Sequence, residues 1–161
     1  MRKESAGPLP PVELQQIWFA MLRRAWSSLV VIPAHDGNSA VSIARGLAAA
    51  GSNHRGRPVT VITPAEADLA AIERLVQNAG AERAGAPPDR SGESARLVVA
   101  LEPIVSNPLG IGVALAADAA LLCVTLGETP IASAKRTVEM IGQEHFIGCV
   151  IVRPSSPPSP R

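Results

Sequence analysis

Five short runs that are apolar at nearly every position recur along the chain: Leu29–Pro33, Val59–Ile62, Leu97–Leu101, Ala120–Thr125 and Phe146–Val152. A strand with one face in water alternates apolar and polar residues, whereas a continuous apolar run has both faces covered. Stretches with helical spacing fall before and between these runs. They are Val12–Ala25, with Leu14, Ile17, Trp18, Met21, Leu22 and Trp26 in phase, Ser39–Ala50 closed by Gly51, Ala65–Ala79 closed by Gly80, Ile111–Ala117, and Pro130–Ile141. Residues 81–95 are polar, with Gly, Pro and Ser throughout, and are expected to form a loop. Strands that alternate with helices, joined by crossovers long enough to be right-handed, define a parallel sheet with helices on both sides. The expected fold is therefore α/β: a three-layer α/β/α sandwich on a mostly parallel sheet of about five strands.

The expected organisation is one domain over residues 12–152. A flexible segment precedes it at 1–11, and a disordered tail follows at 153–161, reading Arg-Pro-Ser-Ser-Pro-Pro-Ser-Pro-Arg. Four prolines in such a tail remove backbone donors that a sheet or helix needs. An apolar fraction of 47% excludes wholesale disorder. A net charge of +1, with no long basic run, gives no electrostatic case for nucleic acid as a partner. The opening residues carry no apolar targeting core, and the Ala- and Gly-rich stretch 109–127 is interrupted by Asp118, so a cytoplasmic chain is expected. Cys123 and Cys149 both lie in apolar runs and are expected to be small buried hydrophobes. The chain contains no tyrosine.

The first strand-loop-helix unit carries the most chemical information. After Leu29–Pro33 come Ala34, His35, Asp36, Gly37, Asn38 and Ser39, and then an Ala-rich helix. A strand, a glycine turn, a hydroxyl and a helix have the form of a Walker A region, in which backbone N–H groups cradle phosphates. Arg57-Pro-Val-Thr-Val-Ile has the form of the strand that follows such a region. Ala117 to Thr129 and Ile147 to Val152 resemble its later strands. Taken together, Val12–Val152 resembles the cytoplasmic domain of bacterial tyrosine kinases, in the MinD/ParA-like branch of P-loop proteins. Leu22-Arg23 matches a Leu-Arg pair that this family carries on the helix before the P-loop strand. The resemblance implies a P-loop NTPase-like fold and a part in capsule or exopolysaccharide biosynthesis and export. It also implies a membrane copolymerase or chain-length protein as partner, which would hold the chain at the inner membrane.

The same comparison reveals missing ionic groups. Asn38 stands where the family has its phosphate-binding lysine, Thr63 where it has a second-strand aspartate, and Ala100 where it has the Walker B aspartate. Glu102 could replace that last carboxylate only with a shift of register. Phosphoryl transfer depends almost wholly on such charges, so no Mg-dependent turnover is expected. The lack of tyrosine also excludes tail autophosphorylation. The expected molecule is thus a catalytically inactive, pseudoenzyme form of the family that acts through protein–protein contact.

Several residues have two readings. His35, Asp36, Gly37, Asn38 and Ser39 form either a degenerate pocket that still takes ADP or ATP, or a plain turn with Ser39 as helix cap. Trp18, Arg23 and Trp26 mark either core packing, a docking face for a partner or for homo-oligomers, or a membrane-surface contact. No metal site is expected, and His54 and His145 are expected on the surface. Asp118 is expected to serve at a loop or helix end. The alternative for the whole chain is a small α/β ligand-binding domain or enzyme that uses the cleft at the carboxyl ends of the strands, near His35–Ser39 and Glu102–Asn107.

Overall fold

The computed structural model describes residues 11–36, 39–55, 58–63, 65, 68–85 and 96–154, with the side chains of 39 and 80–85 outside that description. In chain order the elements are α1 (Val12–Met21), β1 (Ser28–Pro33), α2 (Ser39–Arg55), β2 (Thr60–Ile62) and α3 (Leu69–Gly85). Then come β3 (Leu97–Ala100), α4 (Gly110–Ala116), β4 (Ala119–Thr125), α5 (Ile131–Ile141), a 3-10 turn (Gln143–His145) and β5 (Phe146–Val152). The five strands form one sheet in the order β2-β3-β1-β4-β5, and every pairing is parallel.

The strands are apolar at successive positions because each face has its own core. Leu29, Val31, Val98, Ala100, Leu121 and Cys123 pack with Trp18, Met21, Ala44 and Leu47 of α1 and α2. Val30, Ile32, Val99 and Ala120 pack with Ile72, Val76, Val113 and Ile141 of α3, α4 and α5. The sandwich expected from the sequence is therefore the one observed. Among the described residues, no helix is long and apolar enough to cross a membrane.

Three local features depart from expectation. First, α2 does not end at Gly51 but runs on to Arg55. Gly51 is there for space, since a Cβ would fall inside the Trp18 indole. Second, α3 starts at Leu69 rather than Ala65, because the Asp68 carboxylate accepts the Ala71 N–H at 2.7 Å and caps the helix there. It also runs through Gly80 to Gly85, into the expected loop, the rest of which, 86–95, lies outside the described residues. Third, Cys149 is exposed, although Cys123 is buried as expected. The reason is topological: β5 is an edge strand, so half of its surroundings are open.

Of the readings given for the tryptophans, the structure shows core packing. Trp18 is 0% and Trp26 3% exposed, their rings meeting edge to face at 5.5 Å. The Trp26 indole N–H donates to the Met21 carbonyl at 3.2 Å, and the Arg96 guanidinium lies 4.5 Å from the Trp26 ring centre. Both rings plug the core under α1 and offer no surface to a partner, whereas Arg23 is exposed. Asp118 ties the amino-terminal ends of β1 and β4. Its carboxylate accepts the Ser27 and Ser28 N–H groups at 2.7 and 3.2 Å, while its own N–H donates to the Ser28 hydroxyl at 3.0 Å.

Candidate functional site

The chain leaves β1 for α2 on one face of the sheet, and leaves the neighbouring β3 for α4 on the other. Connections that diverge between adjacent parallel strands open a crevice at their carboxyl ends, the usual ligand position in open α/β sheets. A cleft of about 760 Å³ lies there. Its lining comes from four places: Asp36 after β1, Ala40, Val41 and Arg45 on the first turns of α2, Thr63 and Ala65 after β2, and Leu101–Pro103 with Ser106 and Asn107 after β3.

The floor is fixed by backbone bonds that prolong the sheet. The Ala34 N–H donates to the Cys123 carbonyl at 2.9 Å, and the Leu101 N–H donates to the Val31 carbonyl at 3.0 Å. Beyond β3 the chain turns at once, with the Ser106 and Asn107 N–H groups donating to the Pro103 carbonyl at 3.0 and 2.9 Å. This turn points two side chains at the two acids of the cleft. The Ser106 hydroxyl donates to Asp36 Oδ1 at 3.3 Å, and Asn107 Nδ2 donates to Glu102 Oε2 at 3.0 Å. The loops after β1 and β3 are thus joined through a carboxylate.

Of the residues singled out in the turn after β1, Asp36 lines the cleft, and His35 is half-buried beside it. Gly37 and Asn38 lie outside the described residues; Ser39 opens α2. Thr63 and Glu102 come to the same cleft, from different strands. Ala100 does not line it: its side chain is fully buried against the α1–α2 core. Arg45 is the charged cleft residue that sequence reasoning missed, with Ala40, Val41 and Ala65 among the apolar ones. The available signal was its i,i+4 spacing from Val41, which puts both on one helix face.

In charge, the described lining sets two carboxylates against one guanidinium. The chain has two lysines: Lys3, outside the described residues, and Lys135, on α5 with Glu139 at 3.9 Å. Among the described residues, no group of three or more His, Cys, Asp or Glu side chains is placed to hold a metal ion. His54 is exposed with its ring against Phe19 at 4.7 Å, and His145 stands 3.8 Å from Glu144.

Fold and cleft define a class: an open, all-parallel α/β/α protein with a crevice at the point where its crossovers diverge. No family model matches the chain, and no curated protein matches it.

Proposed function

We propose that this chain is a catalytically inactive P-loop-like domain that works by contact, as a regulatory or scaffolding subunit in exopolysaccharide or capsule biosynthesis and export. The observation that carries the reading is the composition of the crevice. Its position suits a nucleotide: β1 and β3 are adjacent, so a phosphate loop after the first would face a metal-holding carboxylate after the second. Its charges oppose one. Asp36 and Glu102 face the space that a triphosphate would fill, and the strand end that should carry an aspartate carries Ala100. A tetra-anionic ligand needs several cationic groups to offset its charge, and the described lining supplies one, Arg45, against two carboxylates. What remains is a rigid body whose partner, on the family resemblance, is a membrane copolymerase or chain-length protein.

The test is turnover. Purified protein is expected to hydrolyse Mg-ATP no faster than a heat-denatured control. Asn38→Lys alone is expected not to change that, because one cation restores neither carboxylate. Magnesium-dependent hydrolysis by the native chain would sink the proposal.

The size of the cleft favours a second reading, in which the crevice binds a small ligand. A volume of about 760 Å³ is in the range of small-molecule sites. ADP that raises the unfolding temperature without magnesium would support a retained pocket. No shift with any nucleotide would favour scaffolding alone.

A further inference from the structure

Parallel sheets normally hide their long edges, because an edge strand carries a row of unpaired backbone donors and acceptors. The edge at β2 is blunted by length, being three residues. The edge at β5 is not: it runs seven residues, Phe146–Val152, without a charge or a proline. Gly148, Cys149 and Ile151 are exposed along it, Ile151 by 62%.

The hydrogen-bond parity of β5 can be read from its end. The Leu126 N–H donates to the Val152 carbonyl at 2.9 Å, so the backbone at Val152 faces β4. With a strand period of two, Val150 also faces β4, and the N–H and C=O groups of Cys149 and Ile151 face outward. Pairing is in step from Gly148 to Val152, opposite Leu121 to Thr125. Ahead of Gly148 the register slips by one residue, with Phe146 opposite Ala120 and Gly148 opposite Leu121, so Ile147 is extra. Among the described residues, the unpaired, regular edge is therefore Gly148–Val152.

We propose that β5 is a self-pairing edge, joining two copies of this chain antiparallel about a two-fold axis at Val150. That axis sets Cys149 opposite Ile151 of the second copy, and Ile151 opposite its Cys149. Each of these pairs exchanges two N–H···O=C bonds, so all the outward groups at both residues are satisfied at once. An axis at Cys149 would instead oppose Ile151 to Ile147, at the slipped position. The occupant is a second copy because the edge is complementary to itself in this register, and because β5 holds no charge that would repel its twin. The result is one continuous sheet through both copies.

Ile151→Cys tests the register. It puts a thiol opposite Cys149 of the second copy at a Cα separation of about 5.5 Å, within the reach of a disulfide. Diamide takes up two hydrogens as two thiols become one disulfide. It should convert most of the Ile151→Cys protein to a covalent dimer on a non-reducing gel. Ile147→Cys, and the native chain with its two Cys149 thiols only diagonal to each other, should crosslink at least several-fold less. In sedimentation the native chain should dimerise progressively up to about 0.5 mM. Ile151→Lys should remain a monomer with an unchanged thermal midpoint, since that side chain is exposed. A native chain that stays monomeric at every concentration overturns the proposal. So does a dimer indifferent to Ile151→Lys, or equal crosslinking of the two cysteine variants.

Discussion

Cys123 and Cys149 look alike in sequence and differ in the fold. Cys123 is buried on β4, and its thiol is pushed up to about 12 from 9.0, first by burial and then by the charge that an ionised Cys149 would add. The Cys149 thiol is raised as well, by desolvation. Raised thiols mean that the folded chain holds these protons more tightly than the unfolded chain does. Below about pH 9 both states are protonated and stability is unaffected; above it the unfolded chain ionises first, so stability falls as pH rises toward 12. The free energy of unfolding in urea is expected to drop between about pH 9 and about pH 10.5, by up to about 1.4 kcal/mol per pH unit for Cys123. Cys123→Ala should flatten that slope, and an equal slope in the variant would refute the assignment. Sequence could not separate the two residues, because an apolar run does not say which strand will be an edge.

At the scale of elements, the strands were legible and the helix ends were not. Five apolar runs became five strands, and Phe146–Val152 kept its bounds. Asp68 capped α3 where the apolar pattern suggested an earlier start, since a cap is one side chain against a whole periodicity. Gly51 was taken as a stop because glycine often closes helices. Its contact with Trp18, 33 positions earlier in the chain, is tertiary and leaves no local mark. This gives a test with opposite signs. Gly→Ala inside a helix ordinarily gains about 0.5–1 kcal/mol. At Gly51 the new methyl would enter the buried Trp18 ring, and overpacking of this kind costs about 1–3 kcal/mol. At Gly112 of α4, the nearest atom to the methyl is a Glu73 carboxylate oxygen at 3.1 Å, which can swing away. Chemical denaturation should show Gly51→Ala destabilised and Gly112→Ala neutral or stabilised. A stabilised Gly51→Ala would mean that α1 does not seat on α2 through Trp18.

For the whole molecule, on the proposed P-loop-like reading, the question is whether the ionic groups found lacking are isolated changes or are built into the packing. The position of the crevice was legible, because open parallel sheets carry clefts at the carboxyl ends of their strands, and Asp36 and Ser106, from the two segments expected there, do approach one another. Its chemistry was only half legible. Glu102 and Asp36 were visible as acids, but their ties to Asn107 and Ser106 depend on a turn that one sequence does not specify.

On that proposed reading, Ala100 is the position to test. It pairs with Val31 in the middle of the sheet, is 0% exposed, and lies in the core shared with Trp18, Ala44 and Leu47. A carboxylate that holds magnesium through water needs a wet, polar pocket; this position is dry and filled. Ala100→Asp should therefore bury an unpaired charge and cost about 3 kcal/mol or more, or leave the side chain protonated at neutral pH. Combining it with Asn38→Lys and Thr63→Asp should restore no ATP hydrolysis, and magnesium should not recover the lost stability. Urea denaturation with and without magnesium reads this directly. If Ala100→Asp folded at full stability and magnesium raised it further, the polar space of an active P-loop site would still be present. The inactivity proposed above would then rest on a few side chains rather than on the packing of the fold.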